Sequence, residues 1–328
     1  MAGNSVVAKP AEQTPLVAFA AVRLLHDCGI APQALQLILG DGSIGAALIA
    51  HPCVAGVVFT GSTQTAKAIN RSLAAREGAI VPLIAETGGI NVMLVDGTAL
   101  SEQVCDDVVL SAFRSAGQRC SALRILCVQA DVADTVIRMI KGAVATLQIG
   151  DPALITTHIG PVIDQEAQDK LQAQIEGLKQ RGTCLWAGEA PLSGSFVAPH
   201  LFEIPSLDQA HEELFGPVLQ IYRYQAKAFE DVLDQIDAMG YGLTLGVHSR
   251  IDSVVERVTQ RLSIGNCYIN RNMIGAVVGT QPFGGTGLSG TGPKAGGPHY
   301  LLRFLTEQTV TINTAAAGGN ADLLLVAD

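Results

Sequence analysis

The chain has 328 residues, of which 48% are hydrophobic and 16% charged, and its formal net charge is −9. This length exceeds what one hydrophobic core usually serves, so two domains or lobes are expected. The negative charge argues against nucleic acid and anionic lipid as partners. No apolar run is long enough to span a bilayer, and no signal peptide is recognisable. Seven cysteines without a CxxC pair indicate reduced thiols in a cytoplasmic compartment, and no metal site is indicated.

The first ninety residues alternate short β-like runs with amphipathic helices. Strands are predicted at 4–8, 35–39, 54–59 and 80–85, with helices beginning at Pro15 and covering 42–50 and 63–73. This alternation is typical of a parallel sheet with helices on both faces, so the fold class is α/β. Cofactors and reacting groups collect at the carboxyl ends of such strands.

Three short segments follow these strands. Residues 40–45 (GDGSIG) match the GxGxxG dinucleotide fingerprint, residues 59–62 (FTGS) put small polar groups before a helix, and residues 85–89 (AETGG) put one carboxylate before two glycines. A glycine-rich turn, an ordinary helix cap and a surface glutamate explain the same segments equally well.

The pattern then restarts in a second, larger portion. Strands are predicted at 92–95, 124–128, 243–248 and 265–270, with a strand leading on from Val218, and short strands and turns at 185–204; helices are predicted at 101–113, 131–147, 164–181, 229–239 and 252–261. Glycines crowd together from 284 to 297, more than packing alone explains. A last strand at 309–312 carries β-branched residues on both faces and could join another subunit's sheet, and residues 314–320 form a flexible tail.

Cys120 is the candidate nucleophile of the chain. It lies between the predicted helix 101–113 and the strand 124–128, flanked by Gly117, Gln118 and Arg119. Backbone N–H groups of this loop and nearby arginine would lower the thiol pKa and leave the sulfur able to attack. A buried cysteine acting as a small hydrophobic side chain explains the same spacing, so both interpretations stay open at this point.

The ordered motifs together resemble the aldehyde dehydrogenase superfamily. They are, in chain order, KPAEQTP (9–15), FTGS (59–62), ETGG (86–89), GQRC (117–120), ELFGP (213–217) and PFGG (282–285). Two longer segments, 270–279 (NRNMIGAVVG) and 289–298 (SGTGPKAGGP), resemble the L-glutamate γ-semialdehyde (Δ1-pyrroline-5-carboxylate) dehydrogenases, including the dehydrogenase half of bifunctional proline utilisation proteins.

The resemblance implies a covalent mechanism with two catalytic residues. Cys120 would attack the aldehyde to give a thiohemiacetal, whose hydride passes to the nicotinamide and leaves a thioester. Glu86 would activate the water that hydrolyses this thioester.

The resemblance also implies an NAD site. Lys9 and Glu12 would hold the adenosine ribose, and a carboxylate there repels a 2′-phosphate, so NAD is expected over NADP. The remaining cofactor residues would lie along the pyrophosphate and nicotinamide ribose, and they are Gly61, Ser62, Thr87, Gly88, Glu213 and Phe215. In this family the turn at 40–45 would lie near the adenine.

The substrate carboxylate would be held by Ser121 and the amides of Gly296 and Gly297, with Phe304 against the aliphatic stem. Bare backbone N–H groups in a glycine-rich loop can converge on an anion. The expected reaction is therefore NAD-dependent oxidation of L-glutamate γ-semialdehyde to glutamate. A homo-oligomer is expected, fused to or working with a flavin-dependent proline dehydrogenase.

The implied organisation has four parts. Residues 1–87 would form a partial, incomplete NAD-binding Rossmann-like domain, 88–282 the catalytic domain, 283–307 the substrate-anchor loop and return segment, and 308–328 the oligomerisation strand and tail. The resemblance places the asparagine that completes the family's oxyanion hole in a portion preceding residue 1. Two alternatives stay open: a dehydrogenase of another aldehyde, and a non-catalytic remnant that serves as a binding or oligomerising module.

Overall fold

The computed structural model describes residues 2–277 and 279–313. The predicted flexible tail at 314–320 lies outside these residues. The helices are α1 Pro15–Asp27, α2 Gly42–Ala50, α3 Thr63–Ala74, α4 Ser101–Phe113, α5 Ala130–Val144, α6 Gln165–Arg181, α7 Phe229–Ala238 and α8 Asp252–Arg261. The strands are β1 Val6–Ala8, β2 Leu35–Leu37, β3 Val57–Gly61, β4 Leu83–Thr87, β5 Val92–Val95, β6 Ile125–Gln129, β7 Thr183–Ala187, β8 His200–Glu203, β9 Val218–Tyr224, β10 Tyr241–Gly242, β11 Thr244–His248, β12 Asn266–Ile269 and β13 Thr286–Gly287.

A seven-stranded sheet forms the centre of the larger portion, in the order β12-β11-β5-β6-β9-β8-β7. Every neighbouring pair is parallel except β7 with β8. The chain moves one way along the sheet from β5 to β6 and the opposite way from β11 to β12. Because such crossovers are right-handed, α4 and α5 lie on one face and α7 and α8 on the other. Ion pairs from Arg257 to Glu230 and from Arg261 to Asp234 join α7 to α8.

The main hydrophobic core is built on this sheet. All four residues of β5 are buried, and β6 and β9 are buried over most of their lengths. Strands covered on both faces have no solvent side, which is why β5 and β6 are almost continuously apolar in sequence. Phe113 at the end of α4 is 1% exposed within this core.

The smaller portion, up to residue 87, has the predicted alternation of strands and helices. Its pairing is parallel, as predicted, with β1 on β2 and β3 on β4. The prediction of one sheet is corrected, since the described residues form two separate two-stranded pairs. No residue of α1 is buried, and its Leu16 and Phe19 are 82% and 54% exposed.

The glycine-rich segment folds back between the two portions. Strand β13 pairs antiparallel with β10, and isolated bridges join Glu86 to Gly290 and Phe283 to Ala295. Among the described residues, 309–312 is not assigned to a strand, and the pairing of this segment with another subunit's sheet stays a prediction. Its Val310 and Ile312 are 71% and 61% exposed. Among the described residues, no helix has both the length and the apolarity needed to cross a membrane.

Candidate active site

Loops that enter β5, β6 and β9 meet at the amino-terminal edge of the seven-stranded sheet. Asn91, which precedes β5, donates from Nδ2 to the carbonyls of Cys120 at 2.7 Å and Ala122 at 2.8 Å. Its Oδ1 accepts from the backbone N–H of Thr244 at 3.2 Å. This buried side chain therefore joins the loop 114–124, called here the nucleophile loop because it carries the candidate nucleophile Cys120, to the segment that carries Glu86. This role was not predicted from the sequence, although an amide between two apolar runs is a signal for it.

The nucleophile loop has an unusual backbone. Ser115 and Ala116 have φ values of 57° and 54°, and Gly117 has a φ of 66°. Left-handed conformations are unfavourable for residues with a Cβ, so the surroundings must hold this turn in place. At Gly117 a Cβ would also collide with the carbonyl of Gly216, so only glycine fits there.

Arg124 is a second residue that the sequence analysis missed. It is 1% exposed at the start of β6, and it donates to the carbonyl oxygens of Gly117 at 2.6 Å and Arg119 at 3.0 Å. The same guanidinium forms a 3.0 Å ion pair with Glu213. Its carbon atom lies 5.1 Å from the centroid of the Phe215 ring. A lone arginine leading into an apolar strand was the available signal.

The Cys120 thiol is partly buried. Burial raises its pKa above the ordinary value, and the Glu213 carboxylate adds to this effect. The N–H groups of Ser121 and Cys120, together with Arg124, lower the thiol pKa, but by less than burial and Glu213 raise it. The expectation of a lowered thiol pKa is thus wrong for this state of the site, because loss of hydration and a facing carboxylate outweigh the donors.

Glu86 lies near the end of β4 and faces the glycine-rich segment. Its Oε2 accepts from the N–H of Gly285 at 2.9 Å, whereas its buried Oε1 has no hydrogen-bond partner. A Cβ at Gly284 or Gly290 would lie 2.8 Å and 2.9 Å from the carboxylate oxygens. Burial raises the pKa of Glu86 to about 7, although the Gly285 hydrogen bond and the charge of Lys294 lower it. A carboxyl group with this pKa can exchange protons at neutral pH.

Glu213, one of the predicted cofactor residues, lies against the loop that contains Gly88. Burial raises the pKa of this carboxyl group, and Arg124 opposes the shift. A Cβ at Gly88 would collide with Glu213 Oε2, so glycine is required where these two loops touch. Phe215 remains 44% exposed. Thr87 is 4% exposed and its hydroxyl donates to the Leu288 carbonyl at 2.6 Å, so this side chain is engaged in holding the glycine-rich segment.

The remaining predicted cofactor residues lie on the smaller portion. Lys9 Nζ donates to the carbonyl of Gly40 at 3.0 Å, which joins this lysine to the GDGSIG turn. Ser62 caps α3 by accepting from the N–H of Thr65 at 3.1 Å. A Cβ at Gly61 would press on the Phe59 ring. Glu12 is exposed in a turn.

The predicted substrate residues are partly engaged within the chain. Ser121 is 7% exposed, beside the thiol. Gly296 has a φ of 71°, and the N–H of Gly297 donates to the Lys294 carbonyl at 3.1 Å, so this amide closes a turn. The Phe304 ring packs on Tyr300 with 5.4 Å between centroids.

The chain's own side chains fit an NAD molecule. A carboxylate with 20% of its side chain exposed stands beside an exposed aromatic ring, at Glu213 and Phe215. The exposed amino-terminal end of α3 offers backbone N–H groups to an anion.

The fold is that of an α/β enzyme, and comparison with known proteins identifies its family. Residues 1–310 match the model of the aldehyde dehydrogenase family, and the chain belongs to that family. It is 51% identical over 319 residues to the bifunctional protein PutA of Klebsiella aerogenes, covering 94% of this chain and 24% of that protein. It is 38% identical over 316 residues to a 1-pyrroline-5-carboxylate dehydrogenase of Geobacillus kaustophilus, covering 94% and 61%.

Solved structures give the same likeness. A crystal structure of bifunctional proline utilization A superposes with a TM-score of 0.94 at 66% identity, covering 96% of this chain and 32% of that chain. The 1-pyrroline-5-carboxylate dehydrogenase from Thermus with bound NAD gives 0.88 at 35% identity, covering 93% and 60%. The chain therefore spans less than two thirds of each of these relatives.

Proposed function

We propose that this chain carries the catalytic centre of an NAD-dependent L-glutamate γ-semialdehyde dehydrogenase, which forms glutamate. One observation carries the proposal: Arg124 contacts Glu213, Phe215 and the carbonyls of Gly117 and Arg119 in the loop that carries Cys120. The relatives named as 1-pyrroline-5-carboxylate dehydrogenases support the choice of substrate.

In the proposed mechanism Cys120 provides the nucleophile. Its thiolate attacks the aldehyde carbon to form a thiohemiacetal, and the N–H groups of Cys120 and Ser121, which face the sulfur, orient it. NAD, held by Glu213, Phe215, Ser62, Gly61, Lys9 and Glu12, supplies the hydride acceptor when bound. Oxidation leaves a thioester on Cys120. Glu86 then takes a proton from water, and the resulting hydroxide releases glutamate and the free thiol.

The glycine-rich segment is proposed to select for the substrate's carboxylate. Ser121 and the Gly296 amide would donate to it, and Gly297 would join them once its bond to the Lys294 carbonyl is released. A proline dehydrogenase, fused or separate, would supply the substrate, as the bifunctional relatives suggest. The exposed segment 305–313 supports a homo-oligomer, and the seven unpaired cysteines support a cytoplasmic location.

The test compares glutamate semialdehyde with pentanal, which has the same chain length but lacks both the carboxylate and the amino group. NADH formation is measured with glutamate semialdehyde and with pentanal, for the parent chain and for Cys120→Ala. Charge-assisted hydrogen bonds of about 1.5–3 kcal/mol each predict that kcat/KM favours glutamate semialdehyde by about 100-fold or more. Cys120→Ala is expected to form no NADH with either aldehyde.

Three outcomes would distinguish the proposed function from its alternatives. Equal kcat/KM values would favour a dehydrogenase of another aldehyde. NADH formation that survives Cys120→Ala would remove the covalent mechanism. Absence of NADH formation by the folded parent chain, with both aldehydes, would favour a binding or oligomerising role.

A further inference from the structure

We propose that Arg124 is a positioning residue that makes the nucleophile loop and the cofactor carboxylate Glu213 one mechanical unit. The inference deepens the proposed function and rests on its assignment of Glu213 to the nicotinamide ribose. It would explain how occupancy of the cofactor site is communicated to the sulfur.

The contacts of Arg124 reach both partners with one rigid group. Nη1 donates to the Gly117 carbonyl and Nη2 donates to both the Arg119 carbonyl and Glu213 Oε1. The Gly117 and Arg119 carbonyls are seven and five residues from Arg124 in sequence, whereas Glu213 is 89 residues away. Because a guanidinium is planar, displacement of Glu213 changes the direction in which it presents its other N–H groups to the nucleophile loop.

Burial makes this arrangement hard to replace. Arg124 is 1% exposed and the Glu213 side chain is 20% exposed, so water can substitute for few of the lost hydrogen bonds. The loop that Arg124 holds contains the left-handed Ser115 and Ala116, which need external support. A lysine at position 124 keeps the charge but lacks the fork of donors that serves the carbonyls of Gly117, Arg119 and Gly216 and the carboxylate of Glu213.

Charges around the thiol set the direction of the expected effects. Glu213 faces Cys120 and raises its pKa, Arg124 lowers it, and Tyr268 on β12 is coupled to the same thiol. Loss of Arg124 should therefore reduce the thiolate fraction, and loss of the Glu213 charge should increase it.

The first experiment needs neither NAD nor aldehyde. Alkylation of Cys120 by iodoacetamide is followed at pH 8 by mass spectrometry of its peptide, for R124M, E213Q and the double variant. We expect about tenfold slower alkylation in R124M, faster alkylation in E213Q, and a rate in R124M/E213Q close to that of R124M, since without Arg124 the carboxylate of Glu213 is no longer held against the loop that carries the thiol. Independent, additive effects would overturn the proposal.

The second experiment measures coupling directly. The ratio of Cys120 alkylation rates with and without saturating NAD is compared in the parent, in R124K and in R223K. Arg223 is the matched control, because it lies towards the far end of the neighbouring strand β9 and forms its own ion pairs with Asp134 and Glu203. We expect a severalfold ratio in the parent and R223K, and a ratio near one in R124K. A parent-like ratio in R124K, or a ratio of one in the parent, would overturn the proposal.

Failure of the proposed function has a different signature. If NAD changes the alkylation rate but glutamate semialdehyde is not oxidised, the substrate assignment fails and the role of Arg124 stands. If R124M does not fold, as judged by circular dichroism, R124K and E213Q are used for the test. Lysine keeps the positive charge at position 124, and glutamine keeps a polar side chain at position 213.

Discussion

The two carboxylates of the site differ in what surrounds them. Glu86 receives one backbone hydrogen bond and has an orphaned oxygen, which leaves it able to take up a proton near pH 7. Glu213 has a permanent cationic partner in Arg124. Burial raises the pKa of both carboxyl groups, and the cation that opposes the rise is the ion-paired Arg124 at Glu213 and the charge of Lys294 at Glu86.

Glu86 makes the pH dependence of thioester hydrolysis testable without NAD. With p-nitrophenyl acetate, the burst reports acylation of Cys120 and the steady rate reports hydrolysis of the thioester. Only the carboxylate form accepts a proton, so the steady rate should rise with pH around a midpoint near 7. Glu86→Gln should lower this rate by about 10²–10⁴-fold and keep the burst. The exposed Glu102→Gln on α4 is the matched control, and a parent-like profile in Glu86→Gln would contradict the assignment.

Gly88 should tolerate no side chain, because a Cβ there collides with Glu213 Oε2. Gly88→Ala is expected to weaken NAD binding by about tenfold or more, measured by calorimetry, since the carboxylate must move. Gly142→Ala on α5 is the control, because nothing lies within 4 Å of its added Cβ. Alanine there should stabilise the helix by about 0.5–1 kcal/mol and leave binding unchanged. Equal affinities in the two variants would show that Glu213 can move freely.

Elements meet at the site through loops rather than through their regular parts. Helix α4 and strand β6 are joined by the loop carrying Cys120, and β4 and β5 by the loop carrying Asn91. The nucleophile thus lies before a strand of the large sheet, at its amino-terminal edge, whereas Glu86 lies near the carboxyl end of β4. The carboxyl end of β4 and the amino-terminal edge of the seven-stranded sheet therefore both contribute residues to the candidate site.

Asn91 should contribute to stability as the link between these loops. Asn91→Ala removes two donated bonds and one accepted bond, leaving buried backbone groups unpaired. The free energy of unfolding should fall by about 2–4 kcal/mol, measured by urea titration. Asn70→Ala, on the exposed surface of α3, should change it by less than about 0.5 kcal/mol. A similar small change in Asn91→Ala would mean that the loops hold together without it.

At the scale of the whole molecule, residues of the larger portion are more deeply buried than those of the smaller portion. Strands β5 and β6 of the seven-stranded sheet are buried over most of their lengths, whereas β1 and β2 contain no buried residue and neither does α1. Apolar surface removed from water is the main stabilising contribution in folding. The two portions should therefore differ in local stability.

Hydrogen exchange can measure this difference. Amides of β5 and β6 are expected to exchange only through global unfolding, while those of β1 and β2 exchange through local opening at least about 100-fold faster. The measurement is peptide-resolved exchange followed by mass spectrometry. NAD should slow exchange at 40–45 and 59–62 if these segments hold the cofactor. Uniform protection across both portions would contradict the expected division.

Local sequence determined most of the elements and the residue types of the site. Helices α2, α4 and α8 and strand β5 have the predicted bounds, because periodicity and caps act within a few residues. Strands β3 and β4 begin three residues later than predicted and end two residues later, since their mutual register fixes their ends and brings Glu86 into β4. The strand predicted at 309–312 is not formed among the described residues, since strand formation depends on a neighbouring strand as well as on local residue types.

Cys120, Glu86 and Glu213 were predicted as site residues from ordered motifs of a few consecutive residues, and their roles stay predictions. The roles of Arg124 and Asn91 were decided only by the tertiary structure, which joins residues 29 to 153 positions apart. The raised thiol pKa likewise depends on burial and on a carboxylate from a distant loop. Sequence alone specified which groups were present, and folding set their hydration and neighbours, from which their reactivity follows.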